Sequence, residues 1–203
     1  MVVAIILTFV YGNLLALLTV LSFPIIVILY SYKFFSKRAS RFLKQFRLKQ
    51  VLFVKTLLVS LTWGLLSLLA VFWAGLNISF STIFIFLFIF LRIFIGCVVF
   101  DLRDVVGDSK HNINTIPLFF GRDFAFSLLL FLNTISGILL LGAVFLRSFP
   151  PQFLVLLLIV FYGYHYIFQS FRRNADLKFI CDVIVDGEYF LWVILLWLAF
   201  LFW

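Results

Sequence analysis

Apolar residues run in blocks of about twenty along nearly the whole chain, and short polar clusters separate one block from the next. About 20 consecutive apolar residues are what a helix needs to cross ~30 Å of hydrocarbon. The polar breaks predict six full spans, at roughly 14–32, 51–74, 78–99, 123–146, 152–170 and 184–203. Ahead of them VVAIILTFVY, residues 2–11, is too short to cross, and Gly12-Asn13 punctuates the chain after it, as if the sequence began in mid-helix. The expected architecture is all-α: a polytopic transmembrane helical bundle of about six full spans plus a partial N-terminal helix, one domain over residues 1–203.

If the spans alternate, one face of the membrane receives segments 33–50, 100–122 and 171–183, which hold Lys33, Lys37, Arg103, Lys110, Arg122, Arg172 and Arg173 among other cations. The opposite loops hold only Arg147, while Lys55 and Arg92 fall inside spans. Lys and Arg in short loops stay on the cytoplasmic side, so these three segments are expected there and the C-terminus on the other side. Within 33–50, Phe35, Ala39, Phe42, Leu43 and Phe46 recur at spacings of three and four while cations fill the other faces, the pattern of a helix lying in the membrane interface. One role for it is a positive-inside anchor; the other is that Lys33 and Lys37 lean over a cytoplasmic cavity and draw in a polyanion.

Composition strengthens the membrane assignment. Of 203 residues, 66% are hydrophobic and 12% charged, more apolar surface than one water-soluble core hides. The net charge of +8 needs no nucleic acid, because topology and attraction to anionic membrane lipids account for it. Two cysteines, Cys97 and Cys181, lack metal-ligand spacing and are expected as small core residues. No basic stretch precedes the first apolar run, so no cleavable leader is expected.

Against this background the stretch FDLRDVVGDSKHNINTIPLFFGR, residues 100–122, stands out, for three of the chain's eight acids lie at Asp101, Asp104 and Asp108. Positions i, i+3 and i+7 share a helix face, and three carboxylates there repel unless a cation intervenes. Hard oxygen donors suit Mg²⁺, which takes one or two carboxylates, keeps several waters and bridges to a substrate phosphate. The pattern predicts a metal-bridged diphosphate site; the plainer alternative is an acidic loop in which Asp104 pairs with Arg103 or caps a helix.

The residues that follow extend the pattern. Asp-x-x-Asp-x-x-x-Asp at a span end, Gly107 before the last acid, then Thr115-x-Pro117 and Phe120-Gly121, resembles the second aspartate-rich motif of the UbiA superfamily of intramembrane prenyltransferases. LYSYKFFSKR at 29–38 resembles a further stretch of that family, and the later span spacing fits as well. The resemblance implies the last two-thirds of a nine-helix fold around a lipid-open cavity. It implies transfer of an isoprenyl group from an allylic diphosphate donor to an aromatic or glycerol-phosphate lipid acceptor, with Mg²⁺ as cofactor. Asp101, Asp104 and Asp108 become its metal ligands, and Lys33, Lys37, Arg103 and Lys110 its diphosphate contacts. Asn112 stands where the family commonly has glycine, a mild departure because Asn tolerates left-handed backbone.

The family's first aspartate-rich motif occurs nowhere in the sequence. The expectation is therefore an N-terminally truncated prenyltransferase, inactive alone because ionising an allylic diphosphate needs more metal ligands than one motif supplies. The alternatives are a non-catalytic scaffold, or a subunit of a split enzyme whose partner chain brings the missing motif. A cation channel or transporter ranks behind both, since the spans are almost free of charge. Elsewhere, Arg92 is expected to snorkel toward the interface, Tyr162, Tyr164 and Tyr166 to join an interfacial aromatic belt, and His111 and His165 to be structural. Asp176, Asp182, Asp186 and Glu188 are expected as loop charges.

Overall fold

The computed structural model describes residues 14–31, 54–111 and 113–202, all of them helical or in short connections. The elements are α1 (Leu14–Ser31), α2 (Val54–Trp73), α3 (Phe80–Lys110), α4 (Ile116–Phe120), α5 (Arg122–Phe145), a 3₁₀ segment (Pro151–Leu156) leading into α6 (Leu157–Ser170), a short α7 (Leu177–Phe179), a π-helical turn (Ile180–Val185) and α8 (Asp186–Phe202). Among the described residues five helical stretches, Val54–Trp73, Phe80–Lys110, Arg122–Phe145, Pro151–Ser170 and Leu177–Phe202, are long and apolar enough to cross a membrane. The sixth span expected, at 14–32, is described only as the 18-residue α1, whose apolar stretch Leu14–Ile25 is shorter than the five and is not among the helices long and apolar enough to cross. The partial helix expected at 2–11 and the interfacial helix expected at 33–50 lie outside the described residues, as do Lys33 and Lys37.

The longest helix organises the rest. Ser79 starts α3 with a reciprocal cap: its side chain accepts from the Thr82 N–H while its own N–H donates to Thr82 Oγ1. These two bonds satisfy donors that a helix start leaves unpaired. From there α3 runs for 31 residues, well past the span end expected at 99, so the acidic motif rides on its last three turns rather than in a loop. Alternation of polar and apolar positions every three to four residues is what keeps 100–110 helical once the apolar run ends.

Around α3 the chain packs in two directions. α2 lies antiparallel to it, Lys55 meeting Asp101 at one end and Gly64 meeting Phe86 further along. A Cβ on Gly64 would come within 2.7 Å of the Phe86 ring, so glycine there is what lets the two backbones approach. α1 packs on α2, while α5 packs on the other side of α3 and carries α6 with it. One apolar core, with Ile95, Val98, Val99, Leu129 and Ile167, sits between α3, α5 and α6, and a second, with Phe88, Leu140 and Ile159, lies toward the 3₁₀ segment. α8 closes the bundle against the 3₁₀ segment and the π turn.

A polar knot pins α8, and three expectations change here. Arg92 is not snorkelling: it is 1% exposed, and its guanidinium grips Glu188 through Nε (2.8 Å) and Nη2 (2.7 Å). It also donates to Asn133 Oδ1, to Tyr166 OH at 3.2 Å and to the Ile159 carbonyl at 3.4 Å. Glu188 is a buried residue of α8's first turn, not a loop charge, and accepts a further bond from Trp192 Nε1. Tyr166 is fully buried rather than part of an aromatic belt, and Tyr162 donates to the Ile184 carbonyl. A desolvated Arg cannot lose its charge, so burial holds only where a bidentate carboxylate and further acceptors surround it.

Candidate functional site: an acid pair at the head of an apolar cavity

On α3, Ile89, Ile93, Gly96, Cys97 and Phe100 follow one another at helical spacing, and the same stripe continues into the acids. The apolar part of the stripe lines a cavity of about 820 Å³ between α2, α3 and α8. Val59, Trp63, Leu66 and Ser67 form the α2 wall, and Asp186, Tyr189, Phe190 and Trp192 the α8 wall. Gly96 packs closely against the third wall: a Cβ there would lie 3.3 Å from Val185 Cγ1 and 3.4 Å from the Tyr189 hydroxyl.

Above Cys97 the chemistry changes within one turn. Asp101 and Asp108, both buried, converge on the ammonium of Lys55 from α2, at 3.0 and 3.1 Å. The second oxygen of Asp101 accepts from the Thr56 hydroxyl at 2.8 Å. Seven residues are two turns less roughly 20° of arc, which is why these two carboxylates face the same way. Asp104, roughly 60° around the helix from Asp101, is drawn elsewhere. Arg103 binds its two oxygens at 2.8 and 3.3 Å, stacks on Phe100 and reaches across to Asp182 on the π turn at 2.5 Å. The structure thus brings two of the three expected acids together and places the third in a separate, half-exposed ion-pair chain.

Of the cations expected near a diphosphate, Arg103 is engaged with Asp104 and Asp182, and Lys110 stands exposed at the end of α3. Lys55 was not among the residues expected at the site, although an intramembrane lysine in a chain nearly free of charged spans was the signal that would have found it. Among the described residues no three acidic, histidine or cysteine side chains converge on one point. What converges is a pair of carboxylates with a cation already between them. This donor set fits Mg²⁺: the oxygens are hard, two carboxylates is the usual protein contribution, and an ammonium marks the place where positive charge is stabilised. His111 lies beyond the site, its ring nitrogen on the Gly107 carbonyl, and His165 pairs with Gln169. Cys181 is buried and Cys97 half-buried, neither in a disulfide.

A sequence model of the UbiA prenyltransferase family matches residues 1–194. No curated protein and no solved structure matches the chain significantly.

Proposed function

Because the chain belongs to the UbiA prenyltransferase family, we propose that the acid pair and the cavity below it are two halves of one site for an isoprenyl diphosphate. The observation that carries this reading is their continuity on α3: the stripe that lines the cavity ends, one residue after Phe100, in the carboxylates. An allylic diphosphate has the same division, a polyanionic head joined to an apolar tail. The tail fits among Trp63, Leu66, Ile89 and Ile93, which accept it without polar contacts. Asp101 and Asp108 would hold Mg²⁺, which would supply positive charge against the charge that develops on the departing diphosphate. Thr56 fixes one Asp101 oxygen and so orients the carboxylate. Lys55 turns from the acids toward the diphosphate oxygens, with Arg103, Lys110, Lys33 and Lys37 adding positive charge around them.

In the reaction so drawn, the bond between the allylic carbon and the diphosphate oxygen breaks, its electron pair leaving with the diphosphate. The acceptor, an aromatic ring or a glycerol-phosphate lipid, supplies the electron pair for the new bond and loses a proton. The apolar walls keep water from the carbocation-like centre. Asp186 and Tyr189 are polar groups on the α8 wall, placed to face the acceptor.

A second reading has its own support. Asp104 is tied to Arg103, and Lys55 neutralises part of the Asp101 and Asp108 charge. On this reading the chain holds donor without transferring it unaided, and a partner chain brings the remaining acids. One experiment addresses both: retention of radiolabelled geranylgeranyl diphosphate by the purified protein in detergent, with and without Mg²⁺. Mg²⁺-dependent retention that Asp101→Asn with Asp108→Asn abolishes is the expected result. Retention independent of both metal and the acids would sink the proposal, and retention with no product on adding acceptor lipid favours the second reading.

A further inference from the structure

A second cavity lies elsewhere on the bundle, where the start of α5 meets the end of α6, and it shares no lining residue with the first. It is an open pocket of about 470 Å³, lined by Arg122, Asp123, Phe126, Phe168, Phe171, Arg172 and Arg173. We propose that it binds one acidic phospholipid of the surrounding bilayer, the phosphate among the arginines and an acyl chain along the phenylalanines. The proposal is independent of the prenyl-transfer reading.

Charge is the first argument. Three guanidinium groups face one carboxylate, and among the described residues none of the three lies within 4.0 Å of an acid, whereas Arg92 and Arg103 are both paired. Arg122 is held in place: Nη2 donates to the carbonyls of Ser170 (2.9 Å) and Arg172 (3.4 Å), and the guanidinium lies 5.4 Å from the Phe171 ring centre. Its Nε and Nη1 donors have no partner among the described residues. A preorganised guanidinium with donors to spare suits a phosphate better than a mobile one, because planar N–H pairs match phosphate oxygens.

Shape is the second. Phe126 touches both Phe168 (5.6 Å between centroids) and Phe171 (4.9 Å), making an aromatic wall beneath the arginines. Phe168 is 54% exposed, and Phe161, two turns along the same face of α6, is 67% exposed. The basic rim thus gives way to an apolar seam running into the membrane, a phosphate head above a hydrocarbon tail. A free phosphate would use the rim and leave the seam without purpose. Basic pockets at the ends of membrane helices attract anionic headgroups at about 1 kcal/mol per cation.

The test uses the whole protein, purified in detergent and stripped of lipid, with phosphatidylglycerol, phosphatidylcholine and inorganic phosphate titrated separately and adducts read by native mass spectrometry. The expected result is preferential binding of one phosphatidylglycerol. Arg172→Gln with Arg173→Gln should weaken it by about fivefold per arginine. Neither side chain bonds any described residue, so folding should survive; Arg172→Lys with Arg173→Lys, which keeps the charge, should stay near wild type, as should Arg147→Gln outside the cavity. Equal binding of the two phospholipids overturns the proposal, as does an equal loss in the Arg147→Gln protein. Inorganic phosphate competing as tightly as the lipid would make this a phosphate site and overturn it as well.

Discussion

Arg92 and Glu188 illustrate how much one pair of side chains governs. Each is almost wholly removed from solvent, and each would be left as a bare charge without the other. Removing one partner of such a pair costs about 3–5 kcal/mol, whereas replacing both by apolar groups of similar volume is close to neutral. Glu188→Ala should therefore lower the apparent unfolding midpoint in detergent sharply, and Arg92→Met with Glu188→Leu should recover most of it. A double substitution as damaging as the single one would show that the knot matters for its shape rather than its charge. At this scale the sequence was only partly legible. Spacing placed Asp101, Asp104 and Asp108 on one helix face; Asp101 and Asp108 do converge on Lys55, while Asp104 turns to Arg103. Arg92 was expected to snorkel to the interface, and the counter-ion that holds it inside the bundle lay 96 residues away. No local rule connects residues that far apart. Lys55 was marked by being a lysine inside an apolar span, but its partners, 46 and 53 residues downstream, left no local trace.

At the level of elements, hydropathy located the spans well, since length and apolar content are properties a segment carries by itself. It placed the end of α3 too early, because hydropathy falls at Asp101 while helical periodicity does not. The π turn at Ile180–Val185 was also invisible: an extra residue per turn leaves no compositional trace. That turn presents Asp182 to Arg103 and sets the position from which α8 departs. The cavity between α2, α3 and α8 has a direction, with Cys97 and Phe100 nearest the acids and Leu66, Ser67 and Ile89 farthest along the two antiparallel helices. A ring added at the far end should shorten it. Ser67→Phe should weaken binding of a geranylgeranyl diphosphate at least tenfold while leaving a geranyl diphosphate within about threefold, a difference of roughly 1–2 kcal/mol in line with a few buried methylenes. Equal effects on both donors would place the tail outside this cavity.

For the whole molecule, the contacts put the ends of α3, α6 and the π turn, together with the start of α5, at one pole: Arg103 meets Asp182, and Arg122 meets Ser170. Arg147 lies at the other end of α5, in a left-handed backbone conformation after the helix. The bias of cations predicts that the first pole faces the cytoplasm. Cysteines placed singly at Ser109 and at Arg147 should react with a membrane-impermeant thiol reagent from opposite sides of sealed vesicles, Ser109→Cys only when the cytoplasmic side is open. Labelling of both from one side would reverse or dissolve the topology. The polar knot, finally, bears on how the protein is made. Arg92 enters the bilayer with α3, where an unpartnered arginine at mid-helix costs about 2.5–3.5 kcal/mol on insertion scales. Its partners arrive in the order of synthesis: Asn133 after 41 residues, Tyr166 after 74 and Glu188 only after 96. Insertion of this chain is thus not a series of independent helices. The carboxylate that balances Arg92 of α3 comes only with α8, so the burial of the one helix depends on a helix made later.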